Sequence, residues 1–202
     1  MKEVVLFGGG GHAVSCIDII KSDKKFKIAG IVDKKKVKLH NLIYLGSDKD
    51  IQKLKKKYNF AFICIGQIKS SEIRKKLFNK LTKAGFKFPY FLSKKAIISS
   101  NVEIGSGTIV MHGAILNSGS KIGKNCIINT GAIVEHGVKV ADNCHLAPRS
   151  VINGDVTIKE GTFIGSGSII RENIIIGKNC VIGGNLFVKK SLSNNLIYKN
   201  EK

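Results

Sequence analysis

Residues 122–146 read IGKNCIINTGAIVEHGVKVADNCHL, and a single period runs through them. Ile122, Ile128, Val134, Val140 and Leu146 recur every six residues, with Cys126, Ala132, Val138 and Cys144 four places behind. The register continues in both directions without a break: every sixth residue from Ile98 to Val188 is Ile, Leu or Val. The companion set, from Val102 to Leu192, is mostly small. A period of six fits neither a helix nor a half-buried hairpin strand, whose periods are about 3.6 and 2. Repetition at a fixed short period marks a solenoid. The physical reading is a triangular coil in which each six-residue unit supplies one flat face and one corner. Three units make an 18-residue turn. The aliphatic residue points inward, and the small one fits near the corner, where little interior space remains. Parallel pairing between successive coils satisfies the backbone.

The same arithmetic assigns the cysteines. Cys126, Cys144 and Cys180 are separated by whole coils and share a face with Thr162, so they form an interior column of small side chains. With Cys16 and Cys64 the total is odd and no CxxC pair occurs, which argues for reduced thiols and against a zinc site.

Residues 1–91 have a different grammar. Val4–Phe7, Ile28–Val32 and Phe60–Ile65 are short apolar runs, and the segments 13–20 and 70–84 have helical spacing, the second stopped by Gly85. Strands alternating with helices imply a parallel sheet, here a small Rossmann-like α/β domain. Pro89 marks the joint, so the domains are read as 1–91 and 92–202. Gly8–Gly11 lies between the first strand and first helix, where glycines admit a phosphate and the helix terminus attracts negative charge. Gly8, Gly10 and Ala13, with Asp33 further on, also mimic a dinucleotide fingerprint. The domain is short for an NAD enzyme.

With 202 residues and 43% hydrophobic content, disorder is not expected. The net charge of +20 favours an anionic ligand, but the lysines are spread and lack the aromatic interleaving of a single-strand binder. Nucleic acid is therefore not expected as a partner. No apolar run approaches the roughly 18 residues that span a bilayer, and no charged-then-apolar leader opens the chain, so a cytoplasmic protein without membrane insertion is expected.

The aliphatic-x-x-x-small-x register resembles that of the left-handed β-helix acyltransferases. The whole layout resembles more closely the bacterial sugar acetyltransferases of the NeuD and UDP-4-amino-sugar N-acetyltransferase family. The segments that carry the likeness are VVLFGGGGHA (4–13), IVD (31–33), Ile65-Gly66 with EIRKK (72–76), INTGAIVEH (128–136) and HLAP (145–148). The resemblance implies an α/β domain that holds a nucleotide-linked sugar, followed by a left-handed parallel β-helix that binds acetyl-CoA. Gly9, Gly10, Gly11 and His12 would cradle phosphate or sugar, and Asp33, Lys34 and Gly66 would line the pocket.

His136 lies outside the aliphatic and small positions, so the coil does not demand a histidine there. Acetyl transfer to an amine needs a base for the acceptor proton, and imidazole titrates in the right range. The resemblance makes His136 that base, with Asn129 as a hydrogen-bond partner. It also places His145 near the thioester, the Gly154 amide at the oxyanion, and Ser166 and Gly184 along the pantetheine arm and nucleotide of coenzyme A.

Two departures stand out. The family that the chain resembles commonly has an acidic residue directly after the histidine, where this chain has Gly137, and Glu135 on the other side points away along a strand. The end, Ser191–Lys202, is polar and lacks the Gly-x-Pro-Ala-Lys closure of relatives. A metal site at His112, His136 and His145 is disfavoured, because spacings of 24 and 9 put them on different faces. The expected function is N-acetylation of a nucleotide-linked amino-sugar by direct transfer in a homotrimer, without metal. The alternatives are O-acetylation of a sialic-acid-type sugar and a non-catalytic nucleotide-binding trimeric scaffold.

Overall fold

Each hexad of the coil turns its corner through one residue in the left-handed region. In the computed structural model, which describes residues 1–39 and 41–199, the third residue after each inward aliphatic from Gly107 to Asn185 has φ between 52 and 76°. These positions hold Gly, Asn or Asp, the types that tolerate this conformation, with Arg149 the exception. The hexad thus carries a third restricted column beyond the aliphatic and small ones.

The strands pair in parallel at a spacing of one coil: Ile127 lies opposite both Ile109 and His145, and Ile133 opposite Ile115 and Val151. Three sheets result, and their inward residues, among them Leu116, Ile128, Val134, Leu146, Ile152 and Ile164, are fully buried in one continuous core. The parallel stacked sheets are those of a left-handed β-helix. Thr108, Cys126, Cys144, Thr162 and Cys180 form the predicted interior column, all inaccessible to solvent. Thr108 and Thr162 each accept a hydrogen bond from the cysteine amide one coil on, at 3.0 Å. Burial pushes the Cys144 thiol well up, which keeps it protonated as packing.

The three outward faces differ. One presents Glu103, Lys121, Lys139 and Thr157. A second presents only apolar side chains: Ile97, Ile115, Ile133, Val151, Ile169 and Phe187. Of these, Ile97 is 65%, Ile169 41% and Phe187 49% exposed. On the third, Ile109, Ile127, His145 and Phe163 are buried. The segment Gln67–Glu72 belongs to the same compact unit as this coil; the other unit comprises Met1–Gly66 and Ile73–Phe91. The boundary read at residue 91 therefore has an excursion at 67–72.

The end of the coil corrects the expected register. Leu192 bridges Ile176, and Ile197–Tyr198 pairs with Val181–Ile182, both at a spacing of 16 rather than 18. Dropping two residues moves Leu192 from the small position to an inward one, where it is 8% exposed. The segment read as a polar tail thus continues the coil through Tyr198, while residues 200–202 lie outside the described residues.

In the α/β unit, β1 (Lys2–Phe7), β2 (Phe26–Val32), β3 (Tyr44–Gly46) and β4 (Phe60–Ile63) form a parallel sheet in the order β3-β2-β1-β4. The helices are α1 (Gly11–Lys21), α2 (Ile51–Lys57) and α3 (Glu72–Lys83). β3 and α2 are not apparent from the sequence pattern. The lysine run at 53–57 is part of α2, which buries only Ile51 and Leu54. α3 ends as predicted at Gly85 (φ 89°), where Gly85 N–H donates to Thr82 O and Phe86 N–H to Leu81 O, a Schellman closure. Among the described residues no helix is long and apolar enough to cross a membrane.

Arg74 of α3 is 1% exposed, and its guanidinium donates to Ile63 O at 3.1 Å and Ile65 O at 2.5 Å. It closes the end of β4 just before Gly66. Arg74→Leu leaves both carbonyls without this donor and should cost about 2–4 kcal/mol in urea denaturation. Ile152→Ala, in the coil core, should cost about 2–5 kcal/mol by the same measurement, because neighbouring coils cannot collapse into the gap.

Candidate active site

Two regions hold the chemistry, one in each unit. In the α/β unit, β1 leads into Gly8–Gly11 and then α1. Gly8 has φ 104°, and a Cβ there would lie 2.5 Å from the Ile65 side chain, so only glycine lets the turn pass this close to the end of β4. Asp33, at the end of β2, accepts from Gly9 N–H and from Lys34 N–H, both at 2.6 Å. Its carboxylate therefore fixes the loop, and both oxygens are engaged. The loop borders a cavity of about 650 Å³. Gly9, Gly10, Gly11, His12, Asp33, Lys34 and Gly66 all line it, joined by Asp48, Lys76 and Lys80. Nothing lies within 4 Å of a Cβ built at Gly10 or Gly11. A bare α1 N-terminus flanked by lysines is a setting for an anion.

Beneath the loop, His12 Nε2 is buried with no hydrogen-bond partner among the described residues. Cys64 also lines the cavity, and its thiol is pushed up by burial and by its hydrogen bond with Cys16. Cys16 is lowered to about 5, first by its hydrogen bond with Cys64 and further by one with His12.

In the coil unit, His136 lies at the corner following Val134. Its side chain is 68% exposed, and Nδ1 is 3.9 Å from Asp155 Oδ2. A Cβ at Gly154 would fall 2.5 Å from the imidazole Cε1 and 2.7 Å from Nε2, so the ring rests on bare backbone. Gly137 has φ 68°, and a Cβ there would reach Asp155 Oδ1 within 2.1 Å. Asp155 N–H donates to His136 O at 3.0 Å, locking the two coils together at this corner.

Asn129 is at a different corner of the same chain, following Ile128, and its Nδ2 is 3.0 Å from His145 Nε2. Within one chain Asn129 therefore meets His145 and not His136. His145 is 7% exposed, its Nδ1 donates to Gln67 O at 2.5 Å, and the ring packs edge-on against Phe163. With both nitrogens engaged it holds Gln67, whose Nε2 donates to Asn143 O at 2.9 Å. Ser166 and Gly184 stack one coil apart on the Asn129 corner, where a Cβ at Gly184 would lie 3.2 Å from Ser166 O. The predicted coenzyme residues thus separate within one chain: Gly154 lies beside His136, whereas Ser166 and Gly184 lie further along the corner column that begins at Asn129. His112 pairs with Ser93 at 2.6 Å, and no group of three or more His, Cys, Asp or Glu that could hold a metal occurs among the described residues. Asp155 escapes a motif search, although counting one coil forward from Gly137 leads to it. Gln67 carries no sequence signal at all.

Residues 3–81 match the family described as the PglD N-terminal domain, and residues 119–154 and 155–190 match the bacterial transferase hexapeptide family. Among solved structures, PerB from Caulobacter crescentus, in complex with CoA and GDP-perosamine, is similar over 96% of this chain and 92% of its own, at 31% identity and TM-score 0.90. WeeI from Acinetobacter baumannii matches over 96% and 94% at 26% identity and TM-score 0.83. The acetyltransferase domain of PglB from Neisseria gonorrhoeae, with acetyl coenzyme A, shares the fold over 96% and 94% at 22% identity and TM-score 0.85. A glycine loop of this construction in the first unit, an unbroken hexapeptide coil in the second and this likeness over almost the entire length lead to one conclusion: the chain belongs to the PglD/NeuD family of hexapeptide-repeat sugar N-acetyltransferases.

Proposed function

We propose that the protein moves an acetyl group from acetyl-CoA to the amine of a nucleotide-linked amino-sugar, with His136 as general base. The observation that carries the reading is the exposed imidazole seated on the bare Gly154 backbone, at a corner where the coil needs no histidine. PerB, similar over nearly the whole chain, is bound to CoA and GDP-perosamine. Nδ1 faces Asp155, which leaves Nε2 to take the acceptor proton as the amine attacks the thioester carbon. The nitrogen–carbon bond forms, the carbon–sulfur bond breaks, and the proton passes from Nε2 to the departing thiolate. The Gly154 amide stabilises the developing oxyanion. No covalent enzyme intermediate is required.

In the α/β unit, Gly9–Gly11 and the α1 N-terminus hold the diphosphate, with Lys34, Lys76 and Lys80 adding positive potential. Gly66 and the buried His12 Nε2, which has no hydrogen-bond partner among the described residues, belong to the same wall. Ser166 and Gly184 offer a corner free of bulky side chains, along which the pantetheine arm would run. They flank one edge of the apolar face, and His136 flanks the other. Joining such faces between copies would bring the Ser166 corner of one chain toward the His136 corner of its neighbour. We therefore also propose a homotrimer with coenzyme sites between protomers. It is supported by an outward column that is apolar at every step from Ile97 to Phe187.

In a thiol-release assay with acetyl-CoA and UDP- and GDP-linked 4-amino-sugars, turnover is expected with at least one acceptor. His136→Gln should lower it by about 10²–10⁴-fold; no turnover with any acceptor would sink the proposal in favour of a non-catalytic scaffold. Light scattering should give a mass of three chains, and Ile133→Glu, which sets a charge in the middle of the apolar column, should shift it to one. An unchanged mass in the variant would place the interface elsewhere.

A further inference from the structure

The residue directly after His136 is Gly137, and the corner geometry shows which carboxylate reaches the ring. Positions 137 and 155 are the same corner position one coil apart, and both are in the left-handed region, at φ 68° and 59°. Their side chains compete for one space, because a Cβ at Gly137 would meet Asp155 Oδ1. Only one of the two positions can carry a carboxylate beside the ring. We propose that Asp155 is the positioning residue for His136: from the next coil it holds Nδ1–H and so presents Nε2 to the acceptor amine. This inference rests on the reading of His136 as the base.

The other charged groups in this corner stack are engaged elsewhere. Glu135 Oε2 accepts from Asn117 Nδ2 at 2.9 Å, and Arg171 pairs with Glu172 at 3.2 Å. Asp155 is the carboxylate that faces the imidazole, 3.9 Å from Nδ1. That separation exceeds a hydrogen bond, but a small rotation of either side chain closes it, and catalytic contacts often tighten only once substrate is bound. Both side chains are more than half exposed, so the pair adds little to stability, and its effect is on tautomer and ring orientation. Gly154 supplies the floor that keeps the ring within reach.

The test is a carboxylate swap. Asp155→Gly suits the positive φ and should fold normally, with a melting temperature close to that of the parent. It should lower kcat by about 10–100-fold while leaving both KM values within about twofold. Nitrogen NMR of the free protein, at a pH where the imidazole is neutral, should show His136 losing its Nδ1–H tautomer in this variant. Gly137→Asp added to Asp155→Gly returns a carboxylate to the freed space and should restore most of kcat. An unchanged kcat or an unchanged tautomer in Asp155→Gly overturns the inference, as does a folded swap variant that recovers nothing. Full turnover in His136→Gln overturns instead the reading on which it rests.

Discussion

The coil depends on a backbone that turns through the left-handed region once in every six residues. Glycine reaches that conformation without penalty and asparagine or aspartate at small cost, whereas most side chains resist it. The constraint fixes the corners, the corners fix the 18-residue spacing of the parallel strands, and the strands stack the aliphatic residues into one core. It also shapes the chemistry. Position 137 belongs to the restricted column, so the choice there is between a small residue and a short polar one. The same corner one coil on holds Asp155. The site is therefore built across coils as much as along the chain.

Neighbouring coils divide the work in other places too. The imidazole of His136 lies on Gly154, and the loop-fixing carboxylate of Asp33 reaches Gly9 across adjacent strands of the α/β sheet. In both cases a side chain meets a glycine on a neighbouring segment: a Cβ at Gly154 would run into the imidazole, and one at Gly9 would meet the Val37 side chain at 2.7 Å. His145 shows the opposite outcome for a residue of the same type. With both nitrogens occupied and the ring against Phe163, it fastens Gln67 to the coil.

Charge plays a smaller part than its magnitude suggests. Many of the lysines behind the net +20 are solvated surface, as on the face carrying Lys121 and Lys139, and on α2, which buries only its aliphatic positions. Three others, Lys34, Lys76 and Lys80, border the cavity at the α1 N-terminus. Under the proposed function they would add positive potential around a diphosphate.

The coil, its period, the inward column, the packing role of the coil cysteines and the glycine loop are legible along the chain, because each is a local pattern repeated at fixed spacing or bounded by residues with special backbone freedom. That Gly9–His12, Asp33, Lys34 and Gly66 would line a pocket followed from the family resemblance, and in the structure they border one cavity at the ends of β1, β2 and β4. Tertiary structure alone decided which side chains meet across that spacing. It paired Asn129 with His145, buried His145 under Gln67, put Asp155 beside His136 and shortened the last turn so that Leu192 faces inward. Contacts between coils depend on the side chains one turn away and on the direction each corner gives them, and no pattern read along the chain encodes that direction.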